Sequence, residues 1–255
     1  MAIALEQLCD YLEQCLQPER FSDYCPNGLQ VEGRSHVSRL VTGVTACQAL
    51  LDAAIEWGAD AILVHHGYFW RGESPRVVGM KRKRLGALLA NDVSLLAYHL
   101  PLDAHPQLGN NARLGELMGF ALQHQAPLAP GSASGVGNVG DLPRAVAAGE
   151  LVAKLAGITG RQPLHVGDAS AMVRRIAWCT GAAQDYIDAA VAAGADMYVT
   201  GEASEQTVHT AREEGIQFIA AGHHATERFG VQAVGEDLAA RFGLQHRFID
   251  IDNPV

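Results

Sequence analysis

Two stretches of this chain superpose letter by letter without a gap. With Gln48 set against Gln184, Asp52 falls on Asp188, Ala53 on Ala189, Ala54 on Ala190, Gly58 on Gly194, Ala59 on Ala195 and Asp60 on Asp196. Around the first copy, Leu40–Val44 reads as a strand, Gln48–Trp57 as a helix, Gly58 as its stop and Asp60–Val64 as the next strand. Strands joined through a helix run the same way, so a repeated strand-helix-strand unit implies an α/β fold with a duplicated core and mainly parallel strands.

The rest of the chain is read around that repeat. Leu5, Leu8, Leu12 and Leu16 recur at helical spacing and predict an amphipathic helix over Ala4–Leu16. Phe21–Gly33 is broken by Pro26 and the Asn27-Gly28 turn signal and reads as a connecting loop. A helix is expected over Lys81–Leu89 and a strand over Ser94–Tyr98. Pro101 and Pro106 are expected to keep His99–Asn111 out of regular structure, with a short helix over Ala112–Leu117. From Phe120 to about Asp168 the character of the chain changes, with APLAPGSASGVGNVGDLP rich in Gly, Ser and Pro and then a predicted helix over Arg144–Leu155. This reads as an inserted region, with antiparallel strands of its own. The expected division is a first α/β half over 1–119, an inserted or linking region over 120–170, and a second half over 171–255 that completes the core.

Composition narrows the function. Lys plus Arg at 19 against Asp plus Glu at 28 gives a net charge of −9, which argues against broad binding to nucleic acid or an anionic membrane. The five cysteines, Cys9, Cys15, Cys25, Cys47 and Cys179, are widely spaced without a CxxC pair, which argues against a disulfide framework or structural zinc site. The opening MAIALEQLCDYLEQ lacks the basic start and apolar run of a signal peptide, and no apolar run spans a bilayer, so a cytoplasmic protein is expected.

The chemistry gathers at strand ends. The strand Asp60–Val64 runs into His65 and His66, then Gly67, Tyr68, Phe69 and Trp70. A histidine pair in a loop is more often structural than functional, so the case rests on partners elsewhere. In the second copy the same two positions hold Gly201 and Glu202. Each unit is followed by a His and a carboxylate four apart, in HLPLD (His99, Asp103) and in HHATE (His223, Glu227) or, one residue later, HATER. His223 and Glu227 follow the apolar run Phe218–Ala221 and are expected to open one helix running to about Phe242, whose single face presents both to one ion. Imidazoles with bridging carboxylates suit two divalent ions of the iron, zinc, manganese or nickel type, with open positions for a substrate, and do not suit calcium. Glu202 and His99 are the better candidates for orienting ligand imidazoles, ahead of His209 and His224. His105, His124, His165 and His246 read as ordinary histidines. Lys81–Arg84 reads as a solvated helix start, and Tyr68, Phe69 and Trp70 as core or subunit-contact residues.

The passages SDYCPNGLQVEG, VTGVTACQALLDAA, GADAILVHHGYFWRGE, YHLPLDAHPQLGNNARL, TGEASEQTVHTARE and AGHHATERFGVQAV together resemble the Nif-three-like dinuclear metal-centre proteins, labelled GTP cyclohydrolase I type 2 homologues, in their YbgI-like bacterial branch. The resemblance covers nearly the whole chain. It implies a pair of divalent cations in each chain and six chains in a toroid. Carried over, the ligands are His65, His66, Asp103, His223 and Glu227, so that Asp103 rather than His99 is the direct ligand of the first HxxxD.

The leading expectation is a metal-dependent hydrolase acting on a nucleotide-like or phosphate-bearing small molecule, with Glu202 as base or as the group that orients the attacking water. The rival is a ring-shaped scaffold or metal-handling protein without turnover, and a third reading is iron-based redox chemistry. Similar names do not transfer a mechanism, because this chain lacks the cysteine and histidine zinc pattern of the type I cyclohydrolases.

Overall fold

The structure, a computed structural model, describes residues 2–120, 126–128 and 136–255. His124 and residues 129–135 of the Gly, Ser and Pro-rich stretch lie outside the described residues. The chain forms two compact units, one of Met1–Leu102 with Gly230–Asp252 and one of Asp103–Phe229 with Asn253–Val255. Among the described residues no helix is long and apolar enough to cross a membrane.

In the first unit, β1 (Ile3–Ala4) and β3 (His36–Val37) form a small antiparallel ribbon. The main sheet contains β2 (Gly28–Val31), β4 (Arg39–Thr45), β5 (Ala61–His66), β6 (Ser94–Ala97) and β13 (Gln245–Phe248), in the order β13-β4-β5-β6-β2. Four of these strands run parallel, and β2 closes the edge antiparallel to β6. The unit's helices are α1 (Leu5–Leu16), α2 (Gln48–Trp57), α3 (Gly79–Ala90) and most of α10 (Arg228–Phe242). The four leucines of α1 are all buried, as their spacing requires. Leu50 and Leu51 of α2 pack with Ile62, Val64, Leu88 and Leu95 in one core.

In the second unit, β7 (Ala126–Pro127), β8 (Asn138–Ala147), β9 (Leu164–Val166), β10 (Met172–Trp178), β11 (Met197–Thr200) and β12 (Gln217–Ala220) form a sheet ordered β7-β8-β10-β11-β12-β9. The remaining helices are α4 (Leu100–Ala104), within which the chain passes between units, then α5 (Asn110–Met118), α6 (Ala148–Thr159), α7 (Ile187–Ala192), α8 (Glu205–Glu214) and α9 (His223–Thr226). Trp178 is fully buried in this core and donates its indole N–H to the Asn111 carbonyl at 2.9 Å.

The repeat is real in three dimensions, since β4-α2-β5-α3-β6 and β10-α7-β11-α8-β12 are each three parallel strands joined by helices. Its aspartates do the same work. Asp60 Oδ2 accepts the backbone N–H groups of Ser38 and Arg39 at 2.8 and 2.9 Å, and Asp196 Oδ2 those of Arg174 and Arg175 at 2.8 and 2.8 Å. Each ties the start of one strand to the strand beside it. Gly58 and Gly194 both end a helix in the left-handed region, at φ 77° and 68°.

Several expectations are corrected. The stretch after His99 is not irregular: Pro101 sits in the first turn of α4, where a missing N–H costs nothing, and α5 begins at Asn110. Arg144–Ala147 is not helical but extends β8, paired antiparallel with β10, and the helix runs over Ala148–Thr159. Strands β8 and β9 do not form a sheet of their own; they flank the second parallel set. The correspondence of HLPLD with HHATE or HATER also fails in register. Tyr98 N–H bonds the Val64 carbonyl as Ala221 N–H bonds that of Thr200, which sets His99 against Gly222 rather than against His223 or His224.

Candidate metal centre

The first unit builds its part of the site on an overhang. Strand β6 stops pairing with β5 at the Val64–Ala97 rung, whereas β4 still pairs with it at Thr45–His66. The histidines therefore do not lie beyond the strand, as expected, but are its last two residues. Held on one side only, the strand end lets the two rings approach to 4.5 Å between centroids, tilted by 43°. His65 is fully buried and His66 is partly exposed.

Each imidazole has its Nδ1 engaged. His65 Nδ1 donates to the Tyr98 carbonyl at 3.0 Å, and His66 Nδ1 lies 3.2 Å from Thr45 Oγ1. His99 Nδ1 donates to Asp23 Oδ1 at 2.7 Å. Carbonyls and carboxylates only accept, so Nδ1 of His65 and of His99 carries the proton, and Nε2 is the nitrogen that can face a metal. One ring nitrogen from each of His65, His66 and His99 lies within 4.8 Å of the other two. Trp70 stands edge-on to His99 at 5.0 Å and 5.9 Å from His66, so it belongs to this cluster rather than to the core. Of the three neighbouring aromatics only Tyr68 is buried. Phe69 is 39% exposed beneath the Lys81 ammonium, and Lys81 also pairs with Glu73 at 3.3 Å.

Asp23 is the residue that sequence reasoning missed. Burial would raise its pKa, but the hydrogen bond and charge of His99, with donors from Asn27 and the Tyr24 backbone, hold it at about 2. Asn27 Oδ1 in turn accepts the His99 backbone N–H at 2.7 Å. Asp and Asn around a Pro-Asn-Gly turn are the types that bond backbone, and that was the available signal. Cys25 completes an Asp23, Cys25 and His99 group, and burial pushes its pKa up to about 12.

The second unit places His223, Glu202, Glu227 and Asp103. His223 Nδ1 donates to Glu202 Oε1 at 2.7 Å, and its Nε2 lies 3.1 Å from Glu227 Oε2. The expected continuous helix is broken here: α9 ends at Thr226, Glu227 turns out of it at φ −105°, and α10 starts at Arg228. Burial would lower the pKa of His223, but Glu227 and Glu202 outweigh it and raise it to about 9. Asp103 Oδ1, buried, accepts Asn110 Nδ2 at 2.9 Å and Thr180 Oγ1 at 3.4 Å.

Two glycines make room for these groups. A Cβ on Gly181 would stand 2.0 Å from Glu227 Oε1 and 3.4 Å from His223 Nε2. At Gly201, the position matching His65, a Cβ would meet the backbone of His223 at 2.7 Å. The second copy therefore has no space for a histidine there. The remaining histidines are placed elsewhere: His209 is exposed beside Glu205, His105 Nδ1 accepts the backbone N–H groups of Gln107 and Leu108, His165 meets Gln217, and His246 meets Thr42. His224 is buried with its backbone N–H on the Val255 carbonyl.

Imidazoles with pinned Nδ1 atoms and a carboxylate cradled by glycine fit a divalent metal, because a ligand histidine needs its other nitrogen held by an acceptor. Fold and side chains together define a class, a duplicated α/β protein with candidate metal-ligand groups at its strand ends. The family follows from comparison. The chain matches the Duf34/NIF3 (NGG1p interacting factor 3) family over residues 3–254, and it belongs to that family. It is 58% identical over 255 residues to a protein of Pseudomonas aeruginosa named GTP cyclohydrolase 1 type 2 homolog, covering 100% of both chains. It is 52% identical over 253 residues to one of the same name from Escherichia coli K12, covering 98% of both. Among solved structures it is similar to "protein ybgI, unknown function", with a TM-score of 0.93 and 50% identity over 99% of this chain and 100% of that one. A structure from Thermus thermophilus matches with a TM-score of 0.90 and 34% identity over 99% and 100% of the two chains.

Proposed function

We propose that this chain binds two divalent metal ions through His65, His66, Asp103, His223 and Glu227 and acts as a metal-dependent hydrolase on a nucleotide-like or phosphate-bearing small molecule. The observation that carries the reading is the state of the imidazoles. His65 and His223 each have Nδ1 tied to an acceptor, which makes Nε2 the ligating nitrogen. The names of the relatives point the same way for substrate class.

His65, His66, Asp103, His223 and Glu227 would hold the ions, which when bound supply Lewis-acid polarisation and lower the pKa of water. Glu202 works through His223, because its Oε1 is taken by the Nδ1 proton at 2.7 Å. It orients the imidazole and raises its basicity. Asn110 and Thr180 orient Asp103 by donating to its Oδ1.

The test is metal analysis of the purified protein by mass spectrometry, followed by a screen of nucleotides, phosphoesters and cyclic amides with metal-loaded protein. Two ions per chain and turnover that disappears with a chelator are the expected results. Two ions with no turnover anywhere in the screen would instead favour the scaffold or metal-handling reading.

A further inference from the structure

We propose that Tyr24, Phe69 and Trp70 form a platform for the planar heteroaromatic base of a nucleotide, with Arg71 as the cation that meets its phosphate. The proposal rests on the nucleotide-like substrate named above and specifies the surface of the first unit that would recognise it.

Three observations carry it. First, these rings stay out of the core. Aromatic side chains stabilise a fold chiefly through the area they bury, yet Tyr24 is 56% and Phe69 39% exposed, and Trp70 is partly exposed, while their neighbour Tyr68 is buried. Phe69 also holds a left-handed backbone at φ 67°, which is unfavourable for a bulky residue and is not offset by burial. Strain kept at an exposed ring points to a role outside the packing of the fold. Second, the rings stand beside the candidate metal centre. Tyr24 and Trp70 both border His99, at 6.2 and 5.0 Å between centroids, and Trp70 lies 5.9 Å from His66.

Third, the platform is rigid and carries positive charge. The Arg71 backbone N–H donates to the Tyr24 carbonyl at 2.6 Å and its Nη2 to the Asp23 carbonyl at 3.0 Å, so the two loops that bear the rings are tied together. Trp70 Nε1 donates to the Gly67 carbonyl at 3.1 Å, which fixes the indole. Six of the 19 lysines and arginines of this acidic chain fall in residues 71–84 against the single acid Glu73, so cations gather at this edge. Lys81, over the Phe69 ring, is neutralised by Glu73, which leaves the exposed Arg71, 5.9 Å from the Tyr24 centroid, as the cation at the rings. A free phosphate would use the cation and leave the rings idle, and an apolar peptide the reverse. A nucleotide uses both, because every base has a face that stacks on an aromatic side chain.

The test uses the full chain, metal-free and zinc-loaded, in calorimetric titrations with AMP, GMP and ribose 5-phosphate, the last carrying the phosphate without a base. AMP and GMP should bind at least 10-fold more tightly than ribose 5-phosphate in both forms. Tyr24→Leu and Trp70→Leu should each weaken AMP about 10-fold, as loss of one stacking ring does, and leave ribose 5-phosphate unchanged; Tyr24→Phe should keep wild-type affinity. Arg71→Gln should weaken all three probes. If Trp70→Leu misfolds, the exposed Tyr24 decides alone. Equal affinity for AMP and ribose 5-phosphate, no binding of either, or AMP affinity within threefold of wild type in Tyr24→Leu overturns the proposal. A Tyr24→Leu protein that falls to a smaller assembly with AMP affinity intact makes this surface a contact between copies of the chain and also overturns it. Base-selective binding in a protein that turns over nothing keeps this inference and removes the hydrolase reading, whereas turnover of phosphoesters without preference for a base does the opposite.

Discussion

Replacing Gly181 by alanine separates two effects that the structure places at one atom. Gly181 has φ +73°, and a Cβ there would lie 2.0 Å from Glu227 Oε1 and 3.1 Å from its Cδ. The left-handed backbone alone costs a non-glycine residue about 1 to 2 kcal/mol. The contact must also open by more than about 1 Å to reach ordinary van der Waals distance, which turns Glu227 away from His223. Glu227 is 2% exposed, so it has little free space to enter. Gly194 supplies the control, with φ +68° and nothing within 4 Å of an added Cβ. Gly194→Ala should therefore destabilise the protein by about 1 kcal/mol and leave metal affinity intact. Gly181→Ala should lose a further 1 kcal/mol or so of stability and weaken zinc binding about 100-fold, or about 2.7 kcal/mol. Urea unfolding of metal-free protein and chelator competition measure the two quantities separately. If Gly181→Ala binds zinc within threefold of wild type, the placement of Glu227 at a metal is refuted.

The duplicated aspartates should differ in a predictable way. Asp60 accepts two backbone N–H groups, the Ser38 hydroxyl and Arg34, so Asp60→Ala should cost about 3 kcal/mol, and Asp196→Ala, with its two backbone bonds, about 2 kcal/mol in urea unfolding. Burial would raise the pKa of Asp60, but the Ser38 and Arg39 donors and Arg34 hold it below the usual carboxylate value. Its stabilisation is therefore complete above about pH 4 and is lost as pH falls through the depressed value, so the gap between wild type and Asp60→Asn should shrink on acidification. Glu202→Ala should weaken metal binding about 10-fold to 100-fold by freeing His223 Nδ1, and should also lower the melting temperature of metal-free protein at neutral pH, where Glu202 helps hold the raised His223 pKa. Light scattering should return six times the chain mass of 27.2 kDa if the chain forms the toroid that the family resemblance implies, and a monomer would count against that expectation.

Much of this was legible because it is local. The ungapped repeat predicted the parallel strand-helix-strand units, and Gly58 and Gly194 end their helices where their letters say. The leucine spacing of α1 marked its buried face. His65 and His66 drew notice as the end of an apolar run, but the pair alone read as structural and the case for a site rested on partners elsewhere in the chain. Less local features were misread. Arg144–Ala147 has ordinary helix formers, yet its antiparallel pairing with β10 makes it strand. The break at Glu227 leaves no clear mark in HHATERFG.

Periodicity and turn chemistry act over a few residues, so the sequence by itself determined the α/β class, the duplication and the strand ends that carry the histidines. Which nitrogen each imidazole presents was decided only by tertiary structure. His65 is set by Tyr98, His99 by Asp23 and His223 by Glu202, partners separated by 33, 76 and 21 residues. Such pairings follow from strand register and from the backbone room left by Gly181 and Gly201. Neither is encoded within reach of the residues themselves.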